Sequence, residues 1–160
     1  MKNLIKVQFK RRRQFKTDYL ARRRLLEAGK PRIVVRKTNR YIIIQLIESE
    51  EAQDRIICST NSKELLKYGL QPTFSIKNLS AAYLTGYLCA LKALKKGVKE
   101  AILDIGLNKS TKGSKIYASV KGAIDAGLNI KCAEKMFPEE ERIKINKDIL
   151  EEIKTKFKYG

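Results

Sequence analysis

The chain has 160 residues, enough for one domain with an ordinary hydrophobic core. It carries 35 Lys and Arg residues against 17 Asp and Glu residues, a net charge of +18, and it contains no histidine. The lack of histidine excludes every Ser-His or Cys-His nucleophilic pair. No apolar run approaches the roughly 18 residues that span a bilayer, and no signal-peptide core follows the basic N-terminus. We therefore expect a cytoplasmic protein without a membrane partner.

The positive charge is concentrated in the first quarter of the chain. Residues 1–40 contain 15 basic and 2 acidic side chains, whereas the rest of the chain contains 20 and 15. This asymmetry is typical of binding to a polyanion, most often a nucleic acid, because each neutralised phosphate releases counterions. Residues 1–16 show no sustained hydrophobic period and are predicted to form a basic RNA-binding arm. The basic residues at its centre and end are Lys10, Arg11, Arg12, Arg13 and Lys16.

A short helix and a β-hairpin are predicted to follow the arm. Thr17 or Asp18 can cap a helix that stops at Gly29. Residues 30–48 form two β-rich runs, and Thr38-Asn39 can supply a two-residue turn between them. Such a turn pairs residue 36 with 41, 34 with 43 and 32 with 45.

Alternation of side chains along the strands gives this hairpin two unlike faces. One is a core face, formed by Ile33, Val35, Ile42, Ile44 and Leu46. The other interleaves guanidinium, phenol and amide groups, as a surface that contacts phosphates and stacks on bases would. It comprises Arg32, Val34, Arg36, Tyr41, Ile43 and Gln45. A three-residue turn would exchange the two faces, and a half-buried strand with solvated arginines is the alternative interpretation.

The remaining periodicities predict an α+β (mixed α/β) domain. Residues 54–60 are rich in β-branched side chains and complete an antiparallel three-strand meander with the hairpin. A helix over 79–98, a further strand over 101–105 and a helix over 114–126 follow. We expect the helices to pack on one face of the sheet and to leave the other face open.

Two finer features follow from the same patterns. Gly86 lies on the buried stripe of the first long helix, which predicts a close backbone approach to the sheet. A charged C-terminal tail contains a helix that Asn146 or Asp148 caps and that runs to about Phe157.

The loop over residues 106–113 lies between a strand and a helix, where a phosphate loop would lie. It lacks the Gly-Lys-Ser/Thr sequence of a Walker-type site, so no nucleotide cofactor is predicted. Lys109, Lys112 and Lys115 near the helix N-terminus are instead predicted to hold a phosphate of a nucleic-acid backbone. Plain solvated lysines are the alternative.

Catalytic and metal sites are not predicted. Asp104, at a strand end, is the best candidate for a catalytic carboxylate of a two-metal nuclease, with Glu48 and Asp54 as companions. A structural carboxylate that accepts hydrogen bonds is the preferred interpretation of Asp104. The three cysteines at positions 58, 89 and 132 have no Cys-x-x-Cys spacing and are predicted to be separate core residues in a reducing compartment.

Five segments in order resemble one protein family. They are Thr17-Asp-Tyr with the arginines that follow, residues 29–39, residues 81–86, residues 101–107 and residues 121–128. Together they resemble the universal eighteenth large-subunit ribosomal protein, in its archaeal and eukaryotic type. The similarity runs from about Thr17 to Ile130.

This resemblance implies a structural role without enzymatic activity. It implies binding to 5S ribosomal RNA, with further contacts to the large ribosomal RNA and to neighbouring proteins, in the central protuberance of the large subunit. The matching RNA-binding residues are Arg11, Arg12, Arg13, Tyr19, Arg22, Arg23, Arg32, Arg36, Asn39, Arg40 and Tyr41. The predicted units are an arm over 1–16, a 5S RNA-binding domain over 17–130 and a tail over 131–160. A freestanding RNA-binding or RNA-processing factor remains an alternative, and a metal-dependent nuclease a more distant one.

Overall fold

A five-stranded mixed sheet carries helices on its two faces in the computed structural model, which describes residues 7–50, 53–71, 75–143 and 147–158. The predicted α+β class is confirmed. The strands are β1 (Arg32–Lys37), β2 (Ile42–Glu50), β3 (Gln53–Asn61), β4 (Glu100–Asp104) and β5 (Asn129–Ile130). The α-helices are α1 (Lys10–Arg13), α2 (Tyr19–Glu27), α3 (Leu79–Lys95), α4 (Lys115–Asp125), α5 (Glu140–Ile143) and α6 (Lys147–Lys158). Two 3-10 helices span Ser62–Tyr68 and Glu134–Met136.

The sheet has the strand order β3-β2-β1-β4-β5. Strands β1, β2 and β3 form the predicted antiparallel meander, and β4 lies parallel to β1. Strand β5 was not predicted, because two residues are too few to show a hydrophobic period. It pairs parallel with the start of β4.

The predicted pairing of the hairpin was wrong by two residues. Arg36 lies opposite Ile43 rather than Tyr41, and the turn therefore comprises four residues, 38–41. Thr38 closes this turn, since its backbone N–H donates to the Tyr41 carbonyl and its Oγ1 accepts from the Tyr41 N–H, both at 2.9 Å. Because the shift is even, the side chains within the two strands stay on their predicted faces, whereas Tyr41, which was predicted to lie beside Arg36, belongs to the turn. All five residues of the predicted core face are buried.

Helices α3 and α4 cover the core face and contact each other at two glycines. A Cβ atom on Gly86 would lie 1.9 Å from the Ser119 carbonyl oxygen, and one on Gly122 would lie 2.1 Å from the Tyr83 carbonyl oxygen. The close approach predicted at Gly86 is real, but its partner is α4 rather than the sheet. The reason is that the small residues of α3 face α4, so that the two helix backbones meet directly.

The C-terminal tail adds to the core. Ile143 of α5 and both Ile149 and Ile153 of α6 are buried in a second apolar cluster with Leu84 and Leu88 of α3. The predicted tail helix is thus present and packs on the domain. Of the two predicted capping residues, Asn146 lies outside the described residues, as does the side chain of Asp148.

Two of the three cysteines meet in the core. The Sγ atoms of Cys58 on β3 and Cys89 on α3 lie 4.0 Å apart, and both residues are buried and reduced. Cys132 is partly exposed at the edge of the same cluster. The sequence did not indicate this contact, because Cys58 and Cys89 lie far apart in the chain and only the packing of α3 on β3 brings them together.

Replacing Gly86 by alanine is expected to destabilise the protein. Helix propensity alone would favour alanine by about 1 kcal/mol, but the new methyl group would collide with backbone that cannot rotate away. We expect a loss of about 2 kcal/mol or more in the free energy of unfolding, measured by urea denaturation. Ser119→Ala, which leaves the carbonyl in place, is the control and should cost about 1 kcal/mol. A Gly86→Ala protein more stable than wild type would contradict the contact.

Candidate nucleic-acid interface

Helix α2 lies against the sheet face that was predicted to stay open, opposite α3 and α4, so the prediction that the helices pack on one face only was wrong for α2. Asp18 caps it as predicted, because its carboxylate accepts hydrogen bonds from the N–H groups of Leu20 and Ala21 at 3.0 Å. No α2 residue is buried. The helix reaches the sheet through Arg22, whose Nη2 donates to Oδ2 of Asp54 on β3 at 2.8 Å.

A groove between α2 and the open sheet face gathers six of the predicted binding residues. It consists of two adjoining cavities that share Arg11, Thr17, Arg22 and Arg36. We call this the helix–sheet groove. Its predicted binding residues are Arg11, Lys16, Tyr19, Arg22, Arg23 and Arg36. The structure therefore brings arm, helix and first strand together around one basic surface.

The arm is exposed where the structure describes it. Its four basic residues from Lys10 to Arg13 form the single turn α1, and none of them is buried. Phe9 and Phe15 on either side are 81% and 86% exposed. Arg11 ties the turn to the start of α2, since its Nε donates to Oγ1 of Thr17 at 3.0 Å.

The turn of the hairpin forms a second recess. Asn39, Arg40 and Tyr41 line it with Lys77, Leu66, Ser75 and Ile76. Nζ of Lys77 donates to the Asn39 carbonyl at 3.3 Å. We call this the hairpin pocket. Lys77 was not among the predicted residues, because it lies far from Tyr41 in the chain.

The loop after β4 keeps two of its three predicted lysines exposed. Lys109 and Lys112 are exposed, whereas Lys115 is half-buried. The N–H of Gly113 donates to the Met136 carbonyl at 3.0 Å, so this N–H is not available to a phosphate. The 3-10 segment that ends at Met136 therefore occupies part of the predicted phosphate site.

Arg32 does not lie on a binding surface. Its side chain is 2% exposed, and its guanidinium donates to Asp104 at 2.9 Å, to Asp54 at 2.8 Å and to Ser49 at 2.9 Å. Arg32 was predicted to contact RNA because alternation puts it on the same face as Arg36. In the folded chain the two aspartates neutralise it, and we leave it out of the interface.

The same contacts explain the acidic residues that suggested a nuclease. Asp54 and Asp104 do converge, but they converge on a guanidinium, and this supports the structural interpretation of Asp104. Over the residues that the structure describes, no group of three or more His, Cys, Asp or Glu side chains could hold a metal ion.

Comparison with known proteins agrees with the motifs. A family model described as "Ribosomal large subunit proteins 60S L5, and 50S L18" matches residues 4–100 and 95–133. The protein is 54% identical over 139 residues to large ribosomal subunit protein uL18 of Korarchaeum cryptofilum, an alignment that covers 87% of this chain and 70% of that protein. It is 51% identical to the uL18 protein of Methanoregula boonei, with 86% and 78% covered. For Methanothermobacter thermautotrophicus the identity is 49%, with 87% and 71% covered.

The chain belongs to this ribosomal protein family. It is a structural constituent of the large ribosomal subunit and not an enzyme. The resemblance seen in the ordered motifs is therefore confirmed. None of the described helices is long and apolar enough to cross a membrane.

Asp54 gives the folded protein an acid-sensitive contact. Burial raises the pKa of its carboxyl group, but hydrogen bonds from Ser49 and Arg22 and the charges of Arg22 and Arg32 outweigh burial, so the pKa lies below its ordinary value. The folded state therefore binds this proton less tightly than the unfolded state. Its contribution to stability is present above the ordinary pKa and is lost as the pH falls through the folded pKa.

We expect the free energy of unfolding to fall between about pH 5 and pH 3 in wild type, and to fall less in Asp54→Asn. Urea denaturation at pH 7, 5, 4 and 3 measures this difference. An Asp54→Asn protein with the same pH dependence as wild type would show that other carboxylates account for the loss.

Proposed function

We propose that this large-subunit protein binds 5S ribosomal RNA and helps to attach it to the large ribosomal RNA in the central protuberance, beside neighbouring ribosomal proteins. The proposal extends family membership to a particular RNA. In it, residues 1–16 act as a basic arm, residues 17–130 form the 5S RNA-binding domain, and the tail over 131–160 completes the core. The helix–sheet groove and the hairpin pocket are the contact surfaces.

The observation that supports this most is the separation of the two sheet faces. Helices α3 and α4 bury one face, whereas the other carries a basic groove with an aromatic ring, Tyr19, at its edge. Phosphates need the cations, and unpaired bases need aromatic surfaces on which to stack. One side of the protein thus offers both.

Local pairing of charges indicates which cations are available. Arg22 and Arg23 are already in ion pairs, with Asp54 and Glu27. Within the described part of the chain, eight basic residues of the proposed surface form no ion pair with an acidic side chain: Lys10, Arg11, Arg12, Arg13, Lys16, Arg36, Arg40 and Lys77. We propose that these eight supply most of the phosphate contacts, with Lys109 and Lys112 at the margin.

The first test is the salt dependence of binding to a 5S ribosomal RNA transcript. The double variant Arg12→Ala with Arg13→Ala should reduce the slope of log affinity against log salt by about 1.4 to 1.8, or about 0.7 to 0.9 for each phosphate that the protein no longer neutralises. The matched control is Lys99→Ala with Lys131→Ala, which removes the same charge from exposed residues before β4 and after β5. We expect its slope to stay close to that of wild type.

Two outcomes would contradict the proposal in different ways. If wild type bound 5S RNA and an unrelated RNA of the same length equally well, 5S RNA would not be its specific partner. Equal slopes for the two double variants would show that the arm points away from the RNA.

The second test concerns the hairpin pocket. Tyr41→Ala should weaken 5S RNA binding by about 1 to 3 kcal/mol, because it removes a ring on which a base or sugar can stack. Tyr41→Phe keeps the ring and should bind nearly as wild type does. Both variants are measured at one salt concentration, with thermal unfolding to verify folding. If the two variants bind alike, the ring of Tyr41 does not stack on RNA.

A further inference from the structure

Each aspartate beside Arg32 uses its two oxygens for two different neighbours. Asp54 accepts from Arg32 with Oδ1 and from Arg22 of α2 with Oδ2, each at 2.8 Å. Asp104 accepts from Arg32 with Oδ2 and from the N–H of Gly106 with Oδ1, each at 2.9 Å. The buried guanidinium is thus linked outward to α2 on one side and to the loop after β4 on the other.

Helix α2 has little else to fix its orientation. None of its residues is buried, Leu20 is 62% exposed, and Leu25 and Leu26 are only partly covered. A helix in globular proteins is normally held by an apolar face that packs on the core. Where that packing is weak, a hydrogen-bonded ion pair has more influence on the position of the helix.

The ion pair from Arg22 is anchored on its acidic side. Most exposed ion pairs contribute little because both side chains lose freedom when they meet. Here Asp54 is already held by Arg32 and by the hydroxyl of Ser49, which lies 2.5 Å from its Oδ1. Only the Arg22 side chain loses conformational freedom when the pair forms. The sheet, which fixes Asp54, therefore sets the geometry of the ion pair.

We propose that Asp54, held by buried Arg32, is a positioning residue that orients α2 and its basic side chains for RNA. It does not touch the RNA, and its own negative charge opposes the approach of a polyanion. This inference rests on the proposed function, since it needs RNA binding as its readout. It assigns an acidic residue a favourable role in an interface where charge alone would give it an unfavourable one.

Electrostatics and positioning predict opposite changes in RNA affinity for Asp54→Asn. Asp54→Asn raises the net charge by one, and long-range electrostatics alone would strengthen binding. An asparagine replaces one of the two acceptor oxygens with an NH2 donor, however, so that Arg22 and Arg32 no longer each have an oxygen to themselves. We expect affinity for a 5S ribosomal RNA transcript to fall by at least about fivefold at fixed salt, a clear change on a scale where 1.4 kcal/mol is tenfold.

The matched control is Glu27→Gln. It makes the same change of charge on α2, the helix that Asp54 contacts, and breaks an exposed ion pair, that of Arg23 with Glu27 at 2.8 Å. We expect its affinity to equal that of wild type or exceed it. Unchanged or tighter binding by Asp54→Asn, with wild type binding normally, would overturn the inference and leave the proposed function standing. If wild type showed no preference for 5S RNA over an unrelated RNA of the same length, the proposed function itself would be contradicted.

A double-mutant comparison separates positioning from general destabilisation. If Asp54 acts through Arg22, Asp54→Asn should cost no affinity in a protein that already carries Arg22→Ala. An equal loss in both backgrounds would overturn the inference. Thermal unfolding shows whether each variant is folded at the assay temperature. Should Asp54→Asn not fold, Ser49→Ala, which keeps all charges, takes its place: a loss of at least about twofold supports positioning, and unchanged affinity overturns it.

Discussion

A guanidinium with almost no exposure is the constraint around which the open face of the sheet is arranged. Removing a full charge from water costs several kcal/mol unless partners replace the lost hydration. Arg32 on β1 finds those partners on β3 and β4, which flank the strand pair, and at Ser49 on β2. Four strands therefore meet at one polar point.

The core face of the sheet has the opposite requirement, because its apolar side chains must be buried away from water. Helices α3 and α4 bury them and contact each other at Gly86 and Gly122. Direct backbone contact at two glycines lets both helices fit side by side on one sheet face. The two helices leave the other face to α2 and the arm. One face of the sheet thus forms the stabilising core, whereas the other carries the surface proposed to bind RNA.

Net charge is an incomplete guide to that surface. The chain has a large excess of basic residues, yet Arg22, Arg23 and Arg32 are each neutralised by a neighbouring carboxylate. On the proposed surface, the basic residues that form no ion pair lie on the arm, on β1 and around the hairpin turn. For a large-subunit protein the distribution of unpaired charge is the relevant quantity, because counterion release depends on the cations that reach phosphates.

Features that depend on near neighbours in the chain could be predicted from the sequence. Hydrophobic periods located the long helices and four strands, Asp18 was one of the two residues predicted to cap α2, and alternation identified the core face of the hairpin. Ordered motifs were enough to indicate the family. The register of the hairpin could not be predicted in this way, because turns of two and of four residues leave the strand side chains on the same faces. The hydrogen bonds between Thr38 and Tyr41 show that the turn has four residues.

The partners of the charged residues and of the glycines could not be predicted, because they come from distant parts of the chain. Arg32 is 22 residues from Asp54 and 72 from Asp104, so no local pattern shows that it is buried between them. Gly86 signalled a close contact, yet the sequence could not say that a helix rather than the sheet would fill it. Periodicity fixes which side of an element faces inward, whereas the identity of the group it meets depends on how distant elements pack.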